Sequence, residues 1–145
     1  MKRSHWLLMM AVCSVSAVAH GAESCPAVTD IKLNHAIYLA PTEASGSEWI
    51  GVSAAEPATP LTEFVSGVFY PKNNQEVIQG RLGYCEYKAQ DGSLINVHYR
   101  NSSSSSDSMR LENVENWEKS ISELGLVRYE CTSAVANACA FTANN

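Results

Sequence analysis

The chain has 145 residues, 15 acidic against 10 basic side chains, a formal charge of −5 and five cysteines. An acidic balance of this size repels polyanions, which argues against nucleic acid or an anionic membrane surface as a partner held by charge. The length suits one domain around one modest core.

The N-terminus has the three-part layout of a secretory signal peptide. Lys2 and Arg3 form a positive start, residues 7–19 an apolar stretch, and small residues follow. Residues 1–21 are assigned to this leader, with cleavage after Ala19 (A-V-A) or after Gly21 (A-H-G) both fitting. Neither Cys13 nor Cys25 sits in a lipobox. Val12 is branched where a small residue is needed, and Glu23-Ser24 puts no apolar residue before Cys25. A soluble, cleaved product in the periplasm or outside the cell is expected, with residues 22–145 as a single β-rich domain. No later segment is apolar over the ~20 residues that a membrane span requires. Loss of Lys2 and Arg3 takes the charge from −5 to −7.

Past the leader, Ile31, Leu33, Ile37 and Leu39 alternate with polar residues. This predicts one long strand, or two short ones bent at Asn34-His35. Pro41 ends the segment, because proline cannot donate to a central ladder. A small-residue loop with Gly46 leads to a short strand at Trp49, Ile50 and Val52, and Pro57 and Pro60 mark a linker loop. Residues 64–70 read as a strand stopped by Pro71, followed by a turn at Lys72-Asn73-Asn74-Gln75 and renewed strand character over 77–89.

The strongest hairpin signal comes next, with strands over 80–90 and 94–100 about Asp91-Gly92-Ser93. A three-residue loop pairs Ala89 with Ile95, Tyr87 with Val97 and Cys85 with Tyr99. It gathers Cys85, Tyr87, Ala89, Ile95, Val97 and Tyr99 on one face and Glu86, Lys88, Asn96, His98 and Arg100 on the other. A one-residue slip would destroy that separation. Gly92 suits the left-handed position of such a loop.

Residues 101–108 are a serine-rich solvated loop. Asn101-Ser102-Ser103 matches a glycosylation sequon, expected to carry nothing in a bacterial product. Leu111, Val114, Trp117, Ile121 and Leu124 recur every three or four residues. They predict an amphipathic helix capped by Asp107 or Ser108 and ended by Gly125, with Trp117 and Ile121 laid on the sheet. Strands over 126–132 and 139–142 close the chain.

Cys13 leaves with the leader, so Cys25, Cys85, Cys131 and Cys139 remain. An even count in a small exported domain reads as disulfides. Three connectivities are possible. The favoured one joins Cys131 to Cys139 as a short clip and Cys25 to Cys85 from the first strand to a central one. No C-x-x-C pair occurs and an oxidising compartment disfavours free thiols, so neither zinc nor another cofactor is expected.

Cys25-Pro26, Trp49 with Gly51, the L-G-Y-C-E-Y run from Leu82 to Tyr87, Tyr129-Glu130-Cys131-Thr132 and Cys139-Ala140-Phe141 form a pattern of cysteines and aromatics. The pattern resembles an uncharacterised family of small exported bacterial proteins, a domain of unknown function, over most of the mature chain. The resemblance implies export and a cysteine-framed β domain. It brings no activity and no catalytic residues.

His98 opposite Glu86 is the polar pair that a mechanism could use, since a carboxylate orients an imidazole and favours its protonated form. Both lie on the polar face among Lys88 and Arg100, where a cross-strand charge pair is the plainer reading. No nucleophile can be assigned beside them. His35 is a semi-buried or a turn histidine. The serines over 102–106 lack a G-x-S-x-G setting. For stacking on a sugar, Tyr84 on its strand's polar face and Trp49 beside loops are the better candidates, against core or rim packing as the plainer alternative. Trp117 is assigned to the core.

The expected fold is mainly β, a β-dominated α+β domain of about six to seven antiparallel strands with one C-terminal amphipathic helix, stapled by disulfides. The expected role is non-enzymatic: an exported binding or interaction protein with a protein or glycan partner, one version being an inhibitor of a secreted enzyme. Trp49, Tyr84, Glu86 and His98 are the candidate contacts. The alternative is a small secreted hydrolase using His98 and Glu86. A third possibility, a structural envelope component, would show a large exposed apolar patch.

Overall fold

The computed structural model describes residues 22–73, 77–101 and 109–143. The leader with its two cleavage frames, Asn74 and Gln75 of the turn, the sequon serines and the helix caps Asp107 and Ser108 lie outside the described residues.

Among the described residues eleven strands, rather than the six or seven expected, form one continuous sheet, the excess being short strands of three or four residues. In chain order they are β1 (Ala22–Ser24), β2 (Lys32–Asn34), β3 (Ile37–Ala40), β4 (Ser47–Val52), β5 (Leu61–Pro71), β6 (Gln79–Ala89), β7 (Leu94–Asn101), β8 (Met109–Leu111), β9 (Glu118–Ile121), β10 (Val127–Cys131) and β11 (Ala140–Ala143). Every pairing is antiparallel. Single 3-10 turns at Val28–Asp30, Val114–Asn116 and Ala136–Ala138 complete the inventory, with no α-helix among the described residues.

The β5–β6 hairpin organises the rest. The C-terminal half of β6 pairs with β7, which leads outward to β4, β3 and β2. Its N-terminal end pairs with β8, which leads to β11 and β1. On the other side β5 pairs with β10, and β10 with β9. One sheet thus becomes two layers sharing a hairpin. Three register shifts bend that hairpin, and the last leaves Gly83 unopposed, since Val68 pairs with Tyr84 and Phe69 with Leu82. Such a bulge kinks its strand and raises the local twist. Inward parity changes there: Gly80 and Leu82 are buried before it, Cys85, Tyr87 and Ala89 after it. Two side chains serve backbone groups at this switch. Leu82 N–H donates to Met109 Sδ at 3.1 Å, and His98 Nδ1 donates to the Gly83 carbonyl at 2.9 Å.

The layers meet on aromatic rings. Trp49 and Tyr99 both approach Phe141 of β11 edge-on, at centroid distances of 6.0 and 5.3 Å. Cys25–Cys85 and Cys131–Cys139 are both formed, as favoured from the sequence. The bridges converge over Gly67. A Cβ there would stand 3.1 Å from Cys25 Sγ, 3.2 Å from Trp117 Cη2 and 3.4 Å from Cys139 Cβ. Tyr87 adds to the first tie by donating its hydroxyl to the Pro26 carbonyl at 2.6 Å.

Three further expectations are corrected. First, the C-terminal helix is absent. Its stripe is divided between β8, a 3-10 turn and β9, and Asn113 takes a left-handed φ of 48° between β8 and that turn. Leu111 and Trp117 are buried, but Val114, Ile121 and Leu124 are exposed. Strand pairing with β11 and β10 overrides a helical spacing. Gly125 does not end a helix; at φ 77° it closes the β9–β10 hairpin.

Second, the β6–β7 loop has three residues, but they are Gln90-Asp91-Gly92. Ala89 N–H donates to Ser93 O, and Gly92 N–H to Ala89 O. Tyr87 therefore faces Ile95, Cys85 faces Val97 and Glu86 faces Asn96. A two-residue slip returns every side chain to its face, so side-chain parity cannot detect it. Gly92, with φ 86°, belongs at the last loop position, and that sets the register.

Third, the alternative of two short strands holds for β2 and β3, but they join at His35-Ala36 rather than Asn34-His35, with Leu33 opposite Tyr38. A two-residue turn swaps odd for even positions, so Tyr38 and Ala40 are buried while Ile37 and Leu39 face outward. His35 is the turn residue, exposed at φ 55°.

Candidate functional site

The outward side chains of β3, β4 and β7 form a continuous face. Successive residues of a strand point to opposite sides. Since Tyr38, Ala40, Trp49 and Val97 point into the core, their neighbours point out. The register sets Ile37 beside Val52 and Leu39 beside Ile50. Ile50 then faces His98, and Glu48 faces Arg100. Ile37, Leu39, Val52 and Leu94 are 40, 37, 65 and 58% exposed. Between β4 and β7 the face dips into an open depression of about 470 Å³ lined by Ile50, Val52, Leu94, Asn96, His98 and Arg100. Ile50, Val52 and Leu94 give its aliphatic lining and Asn96, His98 and Arg100 its polar lining. Its cation, Arg100, is 3.9 Å from Glu48 and well exposed. Such a pair is weak and leaves the guanidinium accessible to another carboxylate.

Three of the four candidate contacts share this side of the sheet. Tyr84 is half-buried, with its ring 6.2 Å edge-on from His98. Burial raises its hydroxyl above the ordinary range, and Tyr70 and Glu86 add to the shift. Glu86 is half-buried opposite Asn96. His98 is exposed, with Nδ1 held by Gly83. No hydrogen bond or ion pair joins Glu86 to His98, because the corrected register moves them one cross-strand pair apart. Trp49, the fourth candidate, is 1% exposed and offers no ring face to a ligand. Among the described residues, no three His, Cys, Asp or Glu side chains are placed to hold a metal ion, and no helix is long and apolar enough to cross a membrane.

Sequence reasoning missed the aliphatic row itself. Leu94 carries the readable signal, since its even position puts it with Asn96 and His98 rather than with Ile95.

A second polar group lies at the domain's start. Glu23 is 4% exposed and accepts the Ala44 N–H at 2.9 Å. Burial raises its pKa, partly offset by hydrogen bonds from the Ala44 and Glu43 backbones. Nearby, Thr42 donates its hydroxyl within the same loop and Tyr99 donates to Ser47 Oγ at 3.0 Å. The carboxylate thus ties β1 to the β3–β4 loop.

Fold and site together define a disulfide-stapled, antiparallel β domain with an apolar outer face. Over residues 18–142 the chain matches the family described as protein of unknown function (DUF3757), and it belongs to that family. No curated protein and no solved structure matches it.

Proposed function

We propose that this chain is an exported, non-enzymatic binding protein that seats a protein partner on the outer face of β3, β4 and β7. The observation that carries this reading is the row Ile37, Leu39, Ile50, Val52 and Leu94, held side by side on strands whose other face is core. Contiguous exposed apolar surface on a folded domain marks an interaction site. The rim of Glu48, Asn96, His98 and Arg100 is polar, as interface rims are. A protein suits this face better than a glycan. Sugar rings stack on flat exposed aromatics, whereas Trp49 and Trp117 are buried, Tyr84 is half-buried edge-on to His98, and the most exposed large groups here are aliphatic. The leader layout and two buried disulfides support export, since such bonds persist in oxidising compartments.

A photo-crosslinking residue placed at Val52 or Leu94, with Thr132 as control, tests this in producing cells. The expected result is a discrete protein adduct from both face positions and none from Thr132. No adduct at either, or the same adducts at all three, overturns it.

A further inference from the structure

The β9–β10 hairpin ends in a tip that folding does not explain. Ser122 N–H donates to Leu126 O and Gly125 N–H to Ser122 O, the same pattern that closes β6–β7 at Gln90-Asp91-Gly92. The two loops share their backbone bonds and a left-handed final glycine. One carries Gln-Asp at its first two positions and the other Glu123-Leu124. Asp91 serves its own turn, since its carboxylate accepts from the Ser93 backbone and hydroxyl. Leu124 is 97% exposed, and Ile121 and Leu126 beside it are 65 and 56% exposed. A turn of this geometry therefore needs no leucine, yet this one presents three large aliphatic side chains to water around a single acid, Glu123.

The outer-face depression is the counterpart. It is an open depression, with Ile50, Val52 and Leu94 for an apolar tip and Arg100 in the same lining for an acid. Tip and depression lie on opposite flanks of the β5–β6 hairpin. We propose that the occupant of the outer face is the β9–β10 tip of a second copy of this chain, with Leu124 on the aliphatic lining and Glu123 beside Arg100. This rests on the reading of that face as a protein-binding surface and names its partner. The contact joins two different patches; made once between two copies it propagates head to tail into a ring or a filament, and made reciprocally it closes as a two-fold dimer.

Analytical ultracentrifugation of the oxidised protein over a concentration series tests it, with Leu124→Asp spoiling the tip and Val52→Asp the depression. Both positions are exposed, and unchanged circular dichroism and melting show that each variant folds. The wild type is expected to associate, as a closed dimer or beyond it, and each variant alone to stay monomeric. An equimolar mixture of the variants is expected to form a 1:1 heterodimer and nothing larger, since only one intact interface remains. A wild type that stays monomeric overturns the proposal. So does association of the wild type without heterodimer in the mixture. If instead Val52 and Leu94 crosslink in cells to a different protein, the self-association fails while the protein-binding reading of the face stands.

Discussion

Removing the disulfides one at a time separates loop closure from packing. Cys25–Cys85 closes 60 residues and Cys131–Cys139 closes 8, and all four sulfurs are fully buried. Alanine at either pair deletes a similar buried group, so loop length is the main difference. Restricting the unfolded chain is worth about 4.3 kcal/mol for a 60-residue loop and about 2.5 kcal/mol for one of 8. The difference of about 1.8 kcal/mol corresponds to roughly 5–9 °C for a domain of this size. Cys25→Ala/Cys85→Ala should melt that far below Cys131→Ala/Cys139→Ala when both are followed by circular dichroism at one pH. Equal melting, or a lower value for the Cys131–Cys139 variant, would refute the loop argument. It would place the bridges' main contribution in their shared packing over Gly67.

Other perturbations read other parts of the molecule. Glu23→Gln should raise Tm at pH 7. A folded pKa above 4.5 means that stability falls as pH climbs through the folded value, and the amide oxygen still accepts from Ala44. The gain should vanish below the ordinary carboxylate range, and a variant less stable at pH 7 would show that the charge is held by its partners. Gly80→Ala would drive a Cβ into the Tyr70 carbonyl oxygen and should cost about 3 kcal/mol by urea unfolding. Gly92→Ala meets nothing within 4 Å and strains only a left-handed φ, so a cost of about 1–2 kcal/mol is expected, and the reverse order would mean that the β5–β6 end yields. His98→Ala should cost about 0.5–1.5 kcal/mol through the Gly83 carbonyl, and unchanged stability would show that the bulge needs no ring.

Much of the fold could be read locally. Four cysteines in an exported-looking chain implied the bridges, and alternation located β4, β5, β6, β7 and β10. What could not be read is non-local. β1 and β8 have three residues each and acquire their identity from pairing with β11. The branch in β6 needs Gly83 left unopposed and two side chains, from β7 and β8, to satisfy the backbone there. Gly83 inside a strand pattern is itself a bulge signal, but the side chains that serve the backbone there lie 15 and 27 residues from their partners along the chain. The helix was misread for a related reason. A spacing of three and four suits a helix, but it also fits a strand, a 3-10 turn and another strand that bury only Leu111 and Trp117.

The misreadings of the site share one cause. Periodicity in the sequence groups large aliphatic residues by phase, which sets Ile37 and Leu39 with Ile31, and Ile121 and Leu124 with Trp117. Among the described residues, ten large hydrophobic side chains are exposed instead. Isolated ones need no explanation, because folded surfaces always retain apolar area. These are not isolated. Ile37, Leu39, Val52 and Leu94 adjoin on one face, and Ile121, Leu124 and Leu126 share one hairpin tip. Seven of the ten therefore fall in two patches, one beside a depression that Arg100 helps to line and one at a hairpin tip that carries Glu123. Burial in a single copy accounts for neither, and contact between copies accounts for both.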